Sequence, residues 1–102
     1  MDKKKKILFI FEGNQYIVGS IKTRVKKYFN QHHYLYFPNL KELDLQFIDK
    51  NQFDVVITNY IECIDQLDLK IPYIIFEPIP TAANWRELFR FLDSDLGKII
   101  FV

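Results

Sequence analysis

Few side chains in this sequence are equipped for covalent or acid–base chemistry, and they are scattered. Cys63 is the sole cysteine. A reactive thiolate needs a nearby base or a helix N-terminus. The charged neighbours of Cys63 are Glu62 and Asp65, which raise a thiol's pKa. Cys63 therefore reads as a small, buried or half-buried hydrophobe. His32 and His33 are adjacent and are the only histidines. On a strand they would point to opposite sides, and zinc sites gather three or four clustered ligands. Surface or loop-end roles fit them better. Glu12 and Glu77 each follow an apolar run. Two such carboxylates could work as an acid/base pair, but capping a helix or facing solvent is the plainer role.

The position of these groups matters more than their number. Ile7–Gly13 (ILFIFEG) is an apolar run that ends in a glycine and opens onto a long amphipathic segment. In parallel α/β folds the loop after the first strand is where phosphate binding or chemistry sits. Here that loop is Phe11-Glu12-Gly13-Asn14-Gln15, without cysteine, histidine, serine, threonine, lysine or aspartate. A response-regulator receiver needs an acid pair there and a phosphorylatable aspartate closing the third strand. This chain offers Glu12 alone, and Thr58-Asn59 at the second place. A flavodoxin needs a Ser/Thr/Gly-rich phosphate loop, and dinucleotide binding needs GxGxxG. Neither is present.

The elements that would carry these loops follow from hydrophobic patterning. Residues 6–11 (KILFIF) predict a buried strand. From Asn14 to Asn30, Ile17, Ile21, Val25 and Phe29 recur every four residues, which predicts a helix whose C-terminal half is cationic. His33–Phe37 is aromatic and β-favouring, hence a second strand. Leu40, Leu43, Phe47 and Ile48 suggest a short helix over Leu40–Ile48. Val55–Thr58 and Pro72–Phe76 read as further buried strands, with one helical turn within Asn59–Asp68. The prolines of Glu77-Pro78-Ile79-Pro80 stiffen the next loop. Thr81 then caps a final helix, Ala82–Leu92. The apolar tail Gly97–Val102 fits an edge strand, a helix extension or a flap. Strands alternating with helices predict a three-layer α/β domain with a four-stranded parallel sheet in order 2-1-3-4.

Composition bounds the function classes. The chain has 102 residues, enough for one domain, and 49% are hydrophobic. Net charge is +1, from 14 basic and 13 acidic residues. That is not the footprint of a stand-alone nucleic-acid binder. Lys3–Lys6 reads as a solvated linker. No apolar stretch approaches the ~20 residues of a membrane span, and no signal peptide is visible. A single cysteine excludes an internal disulfide and fits a reducing cytosol. Aromatics reach 17%, a modest pointer to a protein partner.

ILFIFEGN, a helix ending KKYF, FDVVITNY and IPYIIFEPIPTAANW together resemble the C-terminal EIIB-like domain of Mga-type transcription regulators. The resemblance covers about residues 5–92. It implies a PTS EIIB-like, flavodoxin-like fold in a cytoplasmic regulator, with residues 1–5 as linker and 6–102 as the domain, the C-terminal piece of a longer protein. DNA would be bound only through other domains. A true EIIB closes its first strand with a phosphorylated cysteine followed by a small-residue loop. By position Phe11 replaces that cysteine, and Glu12 through Val18 replace the loop. The resemblance thus implies the fold without phosphotransfer, and no catalytic, metal or cofactor site.

The expected activity is protein–protein contact: self-association, or docking on the PTS regulation domains of the same regulator. Phe11, Glu12, Asn14, Asn59, Tyr60, Glu77 and Ile79 are the candidate interface residues, on loop tips that topology brings to one sheet edge. Two alternatives remain open at this point. An active phosphocarrier would have to use Cys63, His32 or His33. A small-ligand sensor would line a pocket with Glu12, Asn14, Asn59 and Glu77.

Overall fold

A computed structural model describes residues 4–39, 43–67 and 70–92. The elements run β1 (Lys6–Ile10), α1 (Gln15–Phe29), β2 (Tyr34–Tyr36), α2 (Leu45–Asn51), β3 (Val55–Thr58), α3 (Glu62–Gln66), β4 (Tyr73–Ile75) and α4 (Ala82–Leu92). All strands are parallel and lie in the order β2-β1-β3-β4, as the alternating pattern predicts. The register pairs Ile7 with both Leu35 and Val55, and Ile10 with Thr58.

The side-chain period of two splits each central strand between two cores. Ile7, Phe9, Val55 and Ile57 face α1 and α4, where Ile21, Val25, Phe29, Trp85, Leu88 and Phe89 cover them. Leu8, Ile10 and Val56 face the opposite way, onto Ile48 of α2, Phe53 and Cys63 of α3. Both faces of β1 and β3 are therefore buried, which is why these strands read as unbroken apolar runs. Full burial of a Leu, Ile or Phe is worth roughly 1.5–3 kcal/mol before entropy is counted.

The ladder between β1 and β3 is closed at each end by an Asx side chain. At the N-terminal end, the Asp54 carboxylate accepts the Lys6 N–H at 2.7 Å while the Asp54 N–H donates to the Lys6 carbonyl at 2.8 Å. At the C-terminal end Asn59 does the corresponding job, described below. The Lys6 ammonium also donates to the Asn51 carbonyl.

One helix differs from expectation. The pattern of Leu40, Leu43, Phe47 and Ile48 suggests a helix over residues 40–48, but α2 spans Leu45–Asn51. Asp44 decides the start. Its backbone is extended (φ −151°, ψ 176°) and its carboxylate accepts the Phe47 N–H at 2.8 Å, so it is an N-cap and not a helical residue. Leu43 and Phe47 still pack on the α2/α3 core. Residues 40–42 of that expectation, Asp68 and the tail 97–102 lie outside the described residues. Lys5, expected in a linker, already hydrogen-bonds the sheet region: its carbonyl accepts the Tyr34 N–H at 2.9 Å.

Candidate functional site

The loops after β1, β3 and β4 leave the C-terminal ends of their strands, and an asparagine holds the backbone of each junction. Asn14 is the N-cap of α1: its side-chain oxygen accepts the N–H groups of Tyr16 at 2.8 Å and Ile17 at 3.3 Å. Asn59 accepts the Glu12 N–H at 2.9 Å and donates its side-chain N–H to the Glu12 carbonyl at 2.9 Å. Asn84 accepts from both the Glu77 and Thr81 N–H groups at 3.0 Å, while its own N–H donates to the Thr81 hydroxyl at 3.3 Å. The Thr81–Asn84 exchange is a capping box with the shorter Asn in place of the usual Glu or Gln. It bears out Thr81 as the cap of α4.

These bonds decide what the sheet edge can do. The amide oxygen of Asn14 serves the first turn of α1, and the amide of Asn59 serves the Glu12 backbone at both of its ends, so both side chains are committed to holding the main chain. Glu12 and Glu77 are exposed, each fixed through its main chain. Phe11 is half-buried and its ring lies among others, 6.2 Å from the Phe9 centroid and 6.0 Å from that of Phe76. The chain position just after β1 thus carries a packed ring.

The remaining expected residues go separate ways. Tyr60 packs toward the α2/α3 core, with its N–H bonded to the Thr58 hydroxyl at 2.9 Å. Ile79 is 69% exposed and lines a groove on the other side of the sheet, between α1 and the start of α4. The loop tips are therefore one edge in topology but two faces in space.

Cys63 is buried behind that edge. Its thiol lies 3.6 Å from the Thr58 hydroxyl and donates to it. Burial pushes the thiol up from its ordinary value, the Thr58 hydrogen bond pulls partly the other way, and the Glu62 carboxylate adds to the rise. This is the reverse of an activated nucleophile. His33 is buried at the opposite end of the sheet, where its Nδ1 accepts the Lys5 N–H at 3.1 Å, and His32 beside it is exposed. The thiol and the imidazoles do not share a site. Among the described residues no group of three or more His, Cys, Asp or Glu could hold a metal ion, and no helix is long and apolar enough to cross a membrane.

The groove itself escapes the sequence reading. It has a volume of about 320 Å³ and is lined mainly by Tyr16, Ser20 and Arg24 of α1, Ile79 and Pro80 of the preceding loop, and Trp85 of α4. Tyr16 is 89% exposed beside it. No protein-family model and no curated protein matches the chain.

Proposed function

We propose that this chain is a non-catalytic, EIIB-like regulatory domain of an Mga-type transcription regulator. Its work is protein contact, through self-association or docking on the PTS regulation domains of the same regulator. DNA is reached only through other parts of that regulator, in the cytoplasm. The observation that carries the non-catalytic part is the state of the first loop. Phe11 fills the place that a phosphorylated cysteine takes in a true EIIB, and Asn59 ties up both backbone groups of Glu12. A phosphate cradle needs free N–H groups converging on an empty space. This loop instead presents a packed ring and an exposed carboxylate, and the Glu12 N–H beside them is already bonded.

Contact as the positive role is supported by the apolar side chains left outside both cores near this edge, Tyr16, Ile61 and Ile79, which are 89%, 61% and 69% exposed. Sedimentation equilibrium across micromolar concentrations tests it, alone and with the PTS regulation domains added. Concentration-dependent association, or a mixed complex, is the expected result. Monomers in both experiments overturn the contact role. Incubation with phosphoenolpyruvate and the general PTS proteins, read by mass spectrometry, tests the other half: a phosphoryl group on Cys63, His32 or His33 overturns it.

A further inference from the structure

The groove between α1 and α4 has three features that together select an occupant. First, its rim is apolar and open, formed by Tyr16, Ile79 and Pro80. Second, the Trp85 side chain on its lining is 1% exposed, and its indole N–H has no acceptor among the described residues. An unpaired buried donor costs about 1–3 kcal/mol, and this one lies in a side chain that the groove's occupant would cover. Third, the groove carries a positive charge that no described residue neutralises. The Arg24 guanidinium lies 4.7 Å from the Trp85 ring centroid and 5.5 Å from that of Tyr28, and its Nε donates to the Tyr28 hydroxyl at 3.1 Å. No described carboxylate pairs with it.

The charge is not local to one side chain. α1, QYIVGSIKTRVKKYF, carries Lys22, Arg24, Lys26 and Lys27 and no Asp or Glu. Lys22 and Lys26 lean the other way, each 5.7 Å from the Phe37 ring centroid. Arg24 is thus the cation committed to the α4 side. Held against two aromatic rings, it has its outer N–H groups left for a carboxylate. The lining contains no acidic residue.

We infer that this groove is the docking site for a short acidic segment of a protein partner, one that places a bulky apolar side chain beside a carboxylate. The apolar side chain seats against Ile79, Pro80 and Tyr16. The carboxylate pairs with Arg24, whose guanidinium lies over the Trp85 ring on the groove's lining. This rests on the contact role proposed above and specifies the face and the chemistry of its partner.

The chain has one tryptophan, so its indole N–H gives a single, unambiguous NMR signal. The probe is acetyl-Leu-Phe-Glu-Glu-amide, titrated into the ¹⁵N-labelled chain at low salt. Expected are a saturable shift of the Trp85 indole N–H signal and matching shifts at Tyr16 and Ile79, all on the groove's lining. The Gln-Gln version of the peptide should bind about tenfold more weakly, as should Arg24→Gln, because each removes one side of a charge-assisted bond. Arg24 is exposed, so that variant keeps its fold, which its melting curve verifies. No indole shift at millimolar peptide overturns the inference. So does an equal response to the two peptides, or tighter binding of free hexanoate than of the peptide, which would make this a small-acid site. If titration fails while sedimentation shows association, the groove is wrong and the contact role stands. If titration succeeds and sedimentation shows monomers, the groove stands and the Mga-type assembly role falls.

Discussion

Asn59 holds both backbone polar groups of Glu12 with one side-chain amide, at 2.9 Å for each bond. The ladder of β1 and β3 ends at Ile10–Thr58, and the Asn59 amide supplies a further rung where the backbones part. Asn59→Ala should lower stability by about 1–2 kcal/mol, the net worth of two hydrogen bonds at a half-exposed site. Asn59→Asp keeps the acceptor for the Glu12 N–H but loses the donor to its carbonyl, so it should fall between. Urea denaturation measures both, and hydrogen exchange at the Glu12 amide should quicken in Asn59→Ala. Unchanged exchange would show that the amide does not fix the loop.

The same bonds make a prediction for Phe11. On the proposed EIIB-like reading, Phe11→Cys puts a thiol at the place of a phosphorylated cysteine. It should still take up no phosphoryl group from the general PTS proteins, because the neighbouring carboxylate of Glu12 repels phosphate and the Glu12 N–H next to residue 11 is already bonded to Asn59. Loss of the ring from its contacts with Phe9 and Phe76 should cost about 1–2 kcal/mol, less than a fully buried Phe because Phe11 is half-buried. Peptide mapping by mass spectrometry decides the point. A phosphorylated residue 11 would mean that the side chain alone, and not the loop, had silenced the site.

How far the sequence reaches is visible in these particular residues. Val55–Thr58 and Ile7–Ile10 were legible because two-sided burial writes an uninterrupted apolar run, and the strand order follows from their alternation with helices. Thr81 was legible as a cap because N-caps need a short polar side chain at a fixed offset, and Asn14 and Asn30 were legible as the bounds of the amphipathic segment. Asp44 was missed for the opposite reason: Leu40 and Leu43 continued the helical spacing backwards past a cap that has no apolar signature. The Arg24–Trp85 contact lay beyond reach altogether. In sequence Arg24 belongs to a solvated cationic face and Trp85 to a core stripe. They meet only because α1 and α4 cover the same side of the sheet, a long-range consequence of topology. Asn84 carried a usable signal, three residues after Thr81, which a capping box predicts.

Cys63 links burial to pH. Desolvation first, then the Glu62 charge, raises its pKa, while the Thr58 hydroxyl opposes them and does not prevail. The folded state therefore keeps the thiol when the unfolded chain, with a pKa near about 8.5, has begun to ionise. The unfolded state then binds fewer protons, so stability falls as pH rises. The stabilising contribution is fully present below about pH 8.5 and is lost as pH climbs through the folded pKa. Cys63→Ala should lower stability at pH 7 and flatten its decline between pH 8 and 10 relative to the parent chain, measured by melting temperature. The parent thiol should also react slowly with a disulfide reagent at pH 8 and rapidly in urea. Fast native labelling would contradict both burial and the raised pKa.

Gln52 and Gly13 are the two described positions with a positive φ, at 53° and 115°, and substitution there should act with opposite signs. Gln52 closes α2 in the left-handed region, with its N–H donating to the Ile48 carbonyl at 3.2 Å. A side chain there costs about 1–2 kcal/mol that glycine avoids. Glycine loses part of that gain through the greater freedom of its unfolded chain. Gln52→Gly should therefore stabilise by about 0.5–1 kcal/mol. Gly13 is the reverse case. A Cβ built on it meets nothing within 4 Å, so Gly13→Ala has no steric clash with neighbours to relieve. Its entire cost is backbone strain at a φ that side chains rarely adopt, about 1–3 kcal/mol. Urea midpoints with unchanged slopes should move up for Gln52→Gly and down for Gly13→Ala. Movement of both in the same direction would mean that space around the side chain, and not φ, governs these two turns.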